Sequence, residues 1–92
     1  MLVALIAHDK ANAQDVRAAN RAAHLEYLGA QPEMVAQAGP LLDEEGGMIG
    51  SLIILDVADM DAAHAWADND PYAKAGLFRE VQIKAWKQVI GA

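Results

Sequence analysis

Leu52-Ile53-Ile54-Leu55 is a run of four apolar residues at the centre of the segment from Met48 to Val57. A short apolar run without polar alternation is typical of a β-strand that is covered on both faces. The segment from Leu2 to Ala7 is a second run of this kind, and it ends at His8-Asp9-Lys10. The two runs predict two buried strands.

A helix and an edge strand are predicted between these two runs. The helix begins near Asn12, which can cap it, and ends near Ala30, because the Pro32 that follows cannot continue a helix. Met34 to Leu42 reads as a strand interrupted by Gly39-Pro40, and proline cannot donate to a ladder, so this strand belongs at a sheet edge. One face of the helix is expected to pack on the core through a stripe of residues at helical spacing, namely Val16, Ala19, Ala23, Tyr27 and Ala30.

The remaining segments predict a turn, a second helix and a last strand. Asp43 to Gly47 is a polar, glycine-closed hairpin turn. Asp59 is a good N-cap for a helix through about Asp68, and Asp70-Pro71 breaks that helix and can start another turn. A strand is predicted from Phe78 to Val89. Its apolar positions alternate with polar ones and are Val81, Ile83, Ala85 and Val89.

The predicted order, β-α-β-β-α-β, is that of the ferredoxin-like α+β fold, in which two helices cover one face of a four-stranded antiparallel sheet. The first and third strands are central in this topology, and they are the two strands that read as apolar on both faces. The helices cover only one face of the sheet, so the apolar residues on the other, open face must be buried by another surface, most simply by a second copy of the chain. We therefore expect one domain, residues 1–92, that forms a homodimer with the sheets packed face to face.

The composition of the chain excludes some classes of binding partner. The chain has 92 residues, of which 54% are hydrophobic, with seven basic and thirteen acidic side chains and a formal charge of -6. This balance argues against nucleic acid and against an anionic membrane surface, since both require clustered Lys and Arg. The lack of cysteine excludes disulfides, thiolate nucleophiles and cysteine-bound metals. No signal peptide and no membrane span are apparent, so a cytoplasmic location is expected.

His24 and Asp70 are the strongest candidates for catalysis. A His beside a carboxylate can move protons near neutral pH, because imidazole titrates there and the carboxylate fixes its tautomer. The sequence alone does not show that the two side chains meet, and each has an ordinary explanation: a partly buried His24 satisfied by a carbonyl, and an Asp70 that caps the following turn. Arg17 and Arg21 precede His24 on the same side of the helix. They could bind a carboxylate or phenolate, orient Asp70 through a bidentate pair, or form a solvated helix face.

Four further residues are candidates for substrate binding. The Ser51 hydroxyl could hydrogen-bond a ligand, although no nucleophile elbow surrounds it. Gly39 and Pro40 could shape a pocket wall or could only interrupt an edge strand. Tyr72 could line the site or pack in the core. No metal is expected, because His8, His24 and His64 do not have ligand spacing, and no cofactor is indicated, because nucleotide-binding glycine motifs are missing.

Taken together, the motifs of nearly the whole chain resemble those of the YCII-related proteins, which are small ferredoxin-like α/β barrel domains. The residues that carry this resemblance are Asp9-Lys10, Arg17, Arg21, His24-Leu25, Ala38-Gly39-Pro40, Gly50-Ser51, Ala65-Trp66-Ala67-Asp68-Asn69-Asp70-Pro71-Tyr72 and Ala75-Gly76-Leu77-Phe78.

The resemblance implies a dimeric fold and a His–Asp active site, which by position is His24 with Asp70. It also implies similarity to a chlorohydroxyquinol dehydrochlorinase. Most members of the family have no known substrate, so the resemblance predicts the position of the site but not the reaction. The short turn from Asp43 to Gly47 departs from the longer segment that similar proteins often carry. This loop could border the pocket, so the resemblance does not predict which substrate this chain binds.

Two classes of function remain open. The first is a cofactor-independent enzyme of lyase or isomerase type, in which His24 is the base or acid, Asp70 orients it, and Arg21 or Ser51 binds an oxygen of a small aromatic or enol-type substrate. The second is a non-catalytic module that binds a small ligand or supports assembly, because fold does not fix function. An enzyme should hold His24 in a concave pocket, whereas a structural module should pack it without a cavity.

Overall fold

The computed structural model describes residues 1–91, in which a four-stranded sheet is combined with three helices. Ala92, the last residue of the predicted domain, lies outside the described residues. The elements in chain order are β1 (Leu2–Asp9), α1 (Gln14–Ala30), β2 (Val35–Leu42), β3 (Met48–Asp56), α2 (Met60–Asp68), α3 (Pro71–Lys74) and β4 (Phe78–Trp86).

The strands form one antiparallel sheet in the order β2-β3-β1-β4. β1 and β3 are central, as their apolar runs predicted, and β2 with its Gly39-Pro40 lies at an edge. The ferredoxin-like α+β fold predicted from the order of elements is therefore confirmed.

The two faces of the sheet have different surroundings. Val3 pairs with Leu55, and Leu5 pairs with Ile53, and these side chains are buried beneath the helices. The core on this face also includes Ala7, Val57, Ala63, Trp66 and Ala67. The alternate positions of the same strands face away from the helices, where Ile6 pairs with Leu52. Leu52 is 41% exposed, so this open face keeps apolar surface in contact with solvent.

The predicted stripe of α1 is wrong. Val16, Ala19, Ala23 and Ala30 are exposed and Tyr27 is half-buried, while the buried residues of this helix are Arg17 and His24. The helix turns a polar face inward because those two side chains have buried partners in other segments. The predicted cap is also wrong: α1 begins at Gln14 after Ala13, with no side-chain cap, and Asn12 adopts a left-handed turn conformation (φ 55°).

The other helix starts and the hairpin follow the sequence signals. The Asp59 side chain accepts a hydrogen bond from Ala62 N (2.8 Å) and starts α2, as predicted. The hairpin turn between β2 and β3 is closed by Asp43, whose carboxylate accepts hydrogen bonds from the backbone N–H groups of Glu45 and Gly47.

Two predicted strand ends differ from the structure. β1 continues past Ala7 to Asp9, which places His8 and Asp9 within the strand. β4 ends at Trp86 rather than Val89, because its ladder with β1 ends at the pair of Leu2 and Trp86. None of the helices in residues 1–91 combines the length and the apolar character that crossing a membrane requires.

Candidate active site

His24 and Asp70 meet in the structure, although they are 46 residues apart in the chain. The His24 Nδ1 atom lies 2.8 Å from the Asp70 Oδ1 atom, and both side chains are buried. An ionised carboxylate can only accept hydrogen bonds, so Nδ1 carries the proton and donates a hydrogen bond to Asp70 Oδ1. In the neutral ring the lone pair then lies on Nε2, which is the nitrogen left for a ligand.

Local backbone structure positions Asp70. α2 ends at Asp68, and Asp70 is the N-cap of the short helix α3, which has Pro71 at its first position. Asp70 Oδ1 accepts a hydrogen bond from Tyr72 N (2.9 Å), and the same oxygen accepts the bond from His24. The capping role and the contact with His24 therefore coexist on one atom, and the cap holds the carboxylate in the orientation that His24 needs.

Tyr72 packs directly on the imidazole of His24. The two rings are stacked, with centroids 3.9 Å apart and an angle of 15° between their planes. Phe78 contacts the Tyr72 ring edge-on, at a centroid distance of 6.1 Å. Burial raises the pKa of the Tyr72 phenol above its ordinary value of 10.0, while the charges of Arg17 and Arg21 oppose part of this effect. Tyr72 is therefore a neutral hydrogen-bond donor at physiological pH.

Arg17 contacts Asp9, Ser51 and the ring of Tyr72. Its Nε donates to Asp9 Oδ2 (2.7 Å), and its Nη2 donates to Asp9 Oδ1 (3.0 Å) and to Ser51 Oγ (3.1 Å). Its guanidinium carbon is 4.7 Å from the centre of the Tyr72 ring. Burial lowers the pKa of Arg17, but the hydrogen bonds and charge of Asp9, together with smaller contributions from Tyr72, outweigh burial and raise this pKa, so Arg17 stays charged.

A cavity of about 130 Å³ lies between α1 and strands β2 and β3, next to this array. The predicted site residues that line it are Arg17, Arg21, His24, Gly39, Pro40, Ser51 and Tyr72. Its other walls are mainly apolar and consist of Leu25, Leu28, Ala38, Met48 and Ile53. Asp70 does not line the cavity but holds His24 there. Such a cavity can bring a small molecule to an imidazole nitrogen and to polar donors at once.

The structure adds Asp9 to the residues identified from the sequence. A buried arginine needs a carboxylate partner, but the sequence did not indicate that Arg17 is buried, so it did not indicate the role of Asp9. Gly39 and Pro40 line the cavity, yet a Cβ atom at Gly39 would meet no atom within 4 Å, so the wall does not depend on the missing side chain. In residues 1–91, no group of three or more His, Asp or Glu side chains is arranged to hold a metal ion.

A larger open groove, of about 1020 Å³, runs between α1 and α2 on the outer side of the helices. Its apolar floor includes Tyr27, Met34 and Trp66, with Glu26 and Lys74 among the polar lining residues. It contains no imidazole–carboxylate pair, so the smaller cavity is the one equipped for proton transfer.

Comparison with known proteins gives consistent matches over almost the whole chain. The family model of the YCII-related domain matches residues 1–87. Protein YciI of Escherichia coli O6:H1 strain CFT073 is 36% identical, over 97% of this chain and 99% of that protein. A Haemophilus influenzae protein is 33% identical over the same shares of the two chains.

A solved structure of high similarity is that of 5-chloro-2-hydroxyhydroquinone dehydrochlorinase (TftG) from Burkholderia phenoliruptrix AC1100, in complex with 2,5-dihydroxybenzoquinone. It is 34% identical to this chain, with a TM-score of 0.91, and the match covers 97% of this chain and 96% of that one. An antibiotic biosynthesis monooxygenase has a TM-score of 0.55 at 16% identity, over 98% of this chain and 100% of that one. This second likeness supports the fold alone.

Proposed function

Because the chain belongs to the YCII-related family, we propose that it is an enzyme of lyase or isomerase type, which moves a proton on a small aromatic, quinone or enol-type substrate. His24 and Asp70 are the catalytic pair, and the 130 Å³ cavity is the substrate site.

The observation that carries this proposal is the hydrogen bond of 2.8 Å between His24 Nδ1 and Asp70 Oδ1 at the wall of that cavity. Asp70 fixes the tautomer in which Nε2 is the base, and its negative charge stabilises the imidazolium that forms when Nε2 takes a proton. Tyr72 restricts the rotation of the imidazole by stacking on it. A proton-transfer group is thus already oriented before a substrate binds.

The cavity supports a substrate of one ring. A protein cavity of about 150 Å³ lined by apolar side chains holds benzene, and the present cavity is close to that size. Arg21 and Ser51 lie in its wall and would bind the oxygens of a hydroxylated ring. A similar structure contains bound 2,5-dihydroxybenzoquinone, which is a ring of this kind.

Proton transfer at such a ring leads to isomerisation or elimination. His24 removes a proton from a hydroxyl or carbon of the substrate, and the negative charge that develops on oxygen is stabilised by donors such as Arg21 and Ser51. The proton then returns at a ring carbon, which isomerises the ring to a keto tautomer. Where that carbon carries an anionic leaving group, removal of a second hydroxyl proton supplies the electron pair that forms the new carbonyl and expels the group. The dehydrochlorinase activity of TftG is an elimination.

The test of this function is exchange of ring protons with solvent. The protein is mixed with 2,5-dihydroxybenzoquinone in deuterated buffer, and loss of the ring C–H signal is followed by NMR, with chloride release from 5-chloro-2-hydroxyhydroquinone as a second assay. We expect the protein to accelerate exchange or chloride release above the rate in buffer. Binding of both compounds without either reaction would instead identify a ligand-binding module, and binding of neither would contradict this substrate class.

We also propose that the protein is a homodimer that packs the open sheet faces together. This face carries Ile6, Leu52 and Trp86, and the last two are 41% and 42% exposed. A second copy of the same face would cover these side chains, and face-to-face packing of two sheets is a common way to bury them.

Leu52→Glu is therefore expected to produce a monomer, because it places a charge in the centre of the open face where it would be buried without a partner. The measurement is the molar mass in solution by light scattering after size-exclusion chromatography. Val81→Glu is the matched control, since Val81 is 40% exposed but lies on the helix-facing side of β4. A dimeric Leu52→Glu protein, or a monomeric wild type, would contradict the proposed interface.

A further inference from the structure

The buried pair of Asp9 and Arg17 has no part in the proton transfer described above. The two side chains are each 7% exposed and are joined by two hydrogen bonds, so each charge is matched by the other in a largely dry environment. A buried charge without a partner is strongly unfavourable, which makes the pair act as a unit.

The two arginines of the cavity differ because of this pair. The Nε and Nη2 donors of Arg17 are already engaged by Asp9 and Ser51, and the face of its guanidinium lies on Tyr72. Arg21 lines the same cavity and is exposed, and within residues 1–91 it forms no ion pair. Its position is one helical turn before His24.

We propose that Asp9 is a positioning residue that balances the charge of Arg17 and fixes it against Tyr72 and Ser51, so that Arg21 is the cation that binds the substrate's negative charge. The substrate is therefore an anion with its charged oxygen directed to Arg21, while the other polar residues of the lining offer the imidazole of His24, neutral donors and a compensated ion pair. This inference rests on the proposed function, because it assigns the charge of the substrate of that same site.

The first test measures charge compensation without any ligand, by the ionisation of Tyr72. The chain has two tyrosines, so in a Tyr27→Phe background the phenolate absorbance reports Tyr72 alone. The charged or titratable groups near this ring are Arg17 with its partner Asp9, Arg21, Asp70 and His24. The titrations are compared in this background for the parent, Asp9→Asn, Arg17→Gln and the double variant, within the pH range over which circular dichroism shows folded protein.

Asp9→Asn leaves Arg17 uncompensated, so we expect the Tyr72 titration midpoint to fall by on the order of one pH unit. Arg17→Gln leaves Asp9 uncompensated and is expected to raise the midpoint, and the double variant should return it close to that of the parent. A purely structural role of Asp9 would not give opposite shifts that cancel. If Asp9→Asn does not fold, the midpoint of Arg17→Gln must still lie above that of the double variant. Equal midpoints in the folded variants would overturn the proposal.

The second test measures which arginine binds an anion. The probe is 2,5-dihydroxybenzoquinone, whose acidic hydroxyls make it an anion at neutral pH, and its binding is followed by its visible absorbance. Arg21→Gln removes a charge-assisted hydrogen bond and is expected to weaken binding about tenfold or more. The double variant of Asp9→Asn and Arg17→Gln keeps the charge balance and an amide donor beside Ser51, so it is expected to weaken binding by clearly less than Arg21→Gln does.

Arg79→Gln is the charge-matched control, because Arg79 is an exposed residue of β4 that does not line the cavity. If the double variant binds the probe as weakly as Arg21→Gln does, Arg17 binds the anion and the proposal is wrong. The same conclusion follows if Arg21→Gln binds as tightly as Arg79→Gln. Neither test depends on turnover, so failure of proton exchange would count against the proposed function alone.

Discussion

His24→Gln is expected to lower the rate of proton exchange on 2,5-dihydroxybenzoquinone by about 10²–10⁴-fold, which is the usual contribution of a general base. Glutamine has a similar length and can donate an amide N–H to Asp70, but it has no basic nitrogen. Asp70→Asn should also slow exchange, because Oδ1 of Asp70 accepts both the His24 and the Tyr72 hydrogen bonds. An asparagine oxygen can keep both bonds, so this variant removes the charge that stabilises the imidazolium and leaves the geometry.

His64→Gln is the matched control for the pair, since His64 is an exposed histidine of α2 that does not line the cavity. Exchange is measured by NMR at equal protein concentration, with the melting temperature recorded for every variant. A His24→Gln protein that is folded and exchanges at the wild-type rate would exclude His24 as the base. Full activity in Asp70→Asn would show that orientation of the ring suffices without the charge.

The fold was predictable because its signals are local. The apolar runs at Leu2 to Ala7 and Leu52 to Leu55 predict strands covered on both faces, and these are the two central strands. Gly39-Pro40 predicts an edge strand, and Asp59 predicts the start of a helix, because both depend on the hydrogen bonds of neighbouring backbone groups. The end of β4 was not predictable in this way, since it depends on where β1 stops pairing with it.

The inward face of α1 was predicted wrongly because its partners are distant in sequence. Hydrophobic periodicity assumes that the buried side of a helix is apolar, whereas α1 buries Arg17 and His24. Asp9 in β1, Ser51 in β3 and Asp70 at the N-cap of α3 satisfy these two side chains. A periodicity rule therefore fails on the helix that carries the candidate site, where polar side chains are buried by pairing with one another.

The candidate site could be located from the sequence only with the family resemblance. Without it, His24 and Asp70 each had an ordinary explanation, and the cap predicted for Asp70 is present together with the contact to His24. The division of roles between Arg17 and Arg21 could not be predicted, because it depends on which of the two reaches Asp9. That depends on the distance between two side chains and not on the spacing of residues in the helix.

Gly50→Ala is expected to destabilise the fold by about 3 kcal/mol, at the upper end of the usual cost of overpacking. Gly50 pairs with His8 in the sheet, and a Cβ atom there would overlap the carbonyl oxygen of Ala7 and lie 3.0 Å from the Leu41 side chain. The backbone of Gly50 does not have a positive φ, so the reason is space and not conformation. The carbonyl belongs to the central strand β1 and cannot rotate away as a side chain would, so β3 must move from β1.

The free energy of unfolding is measured by urea denaturation, at one protein concentration because association stabilises the folded state. In a domain of this size, each kcal/mol lowers the melting temperature by about 4–8 °C. Gly29→Ala is the control, since a Cβ atom at Gly29 meets nothing within 4 Å and alanine favours the helix by about 1 kcal/mol.

The strain at Gly50 falls next to Ser51, which accepts the Arg17 hydrogen bond, so the same change should disturb the cavity wall. A Gly50→Ala protein as stable as wild type would mean that the two central strands can separate without cost at this position.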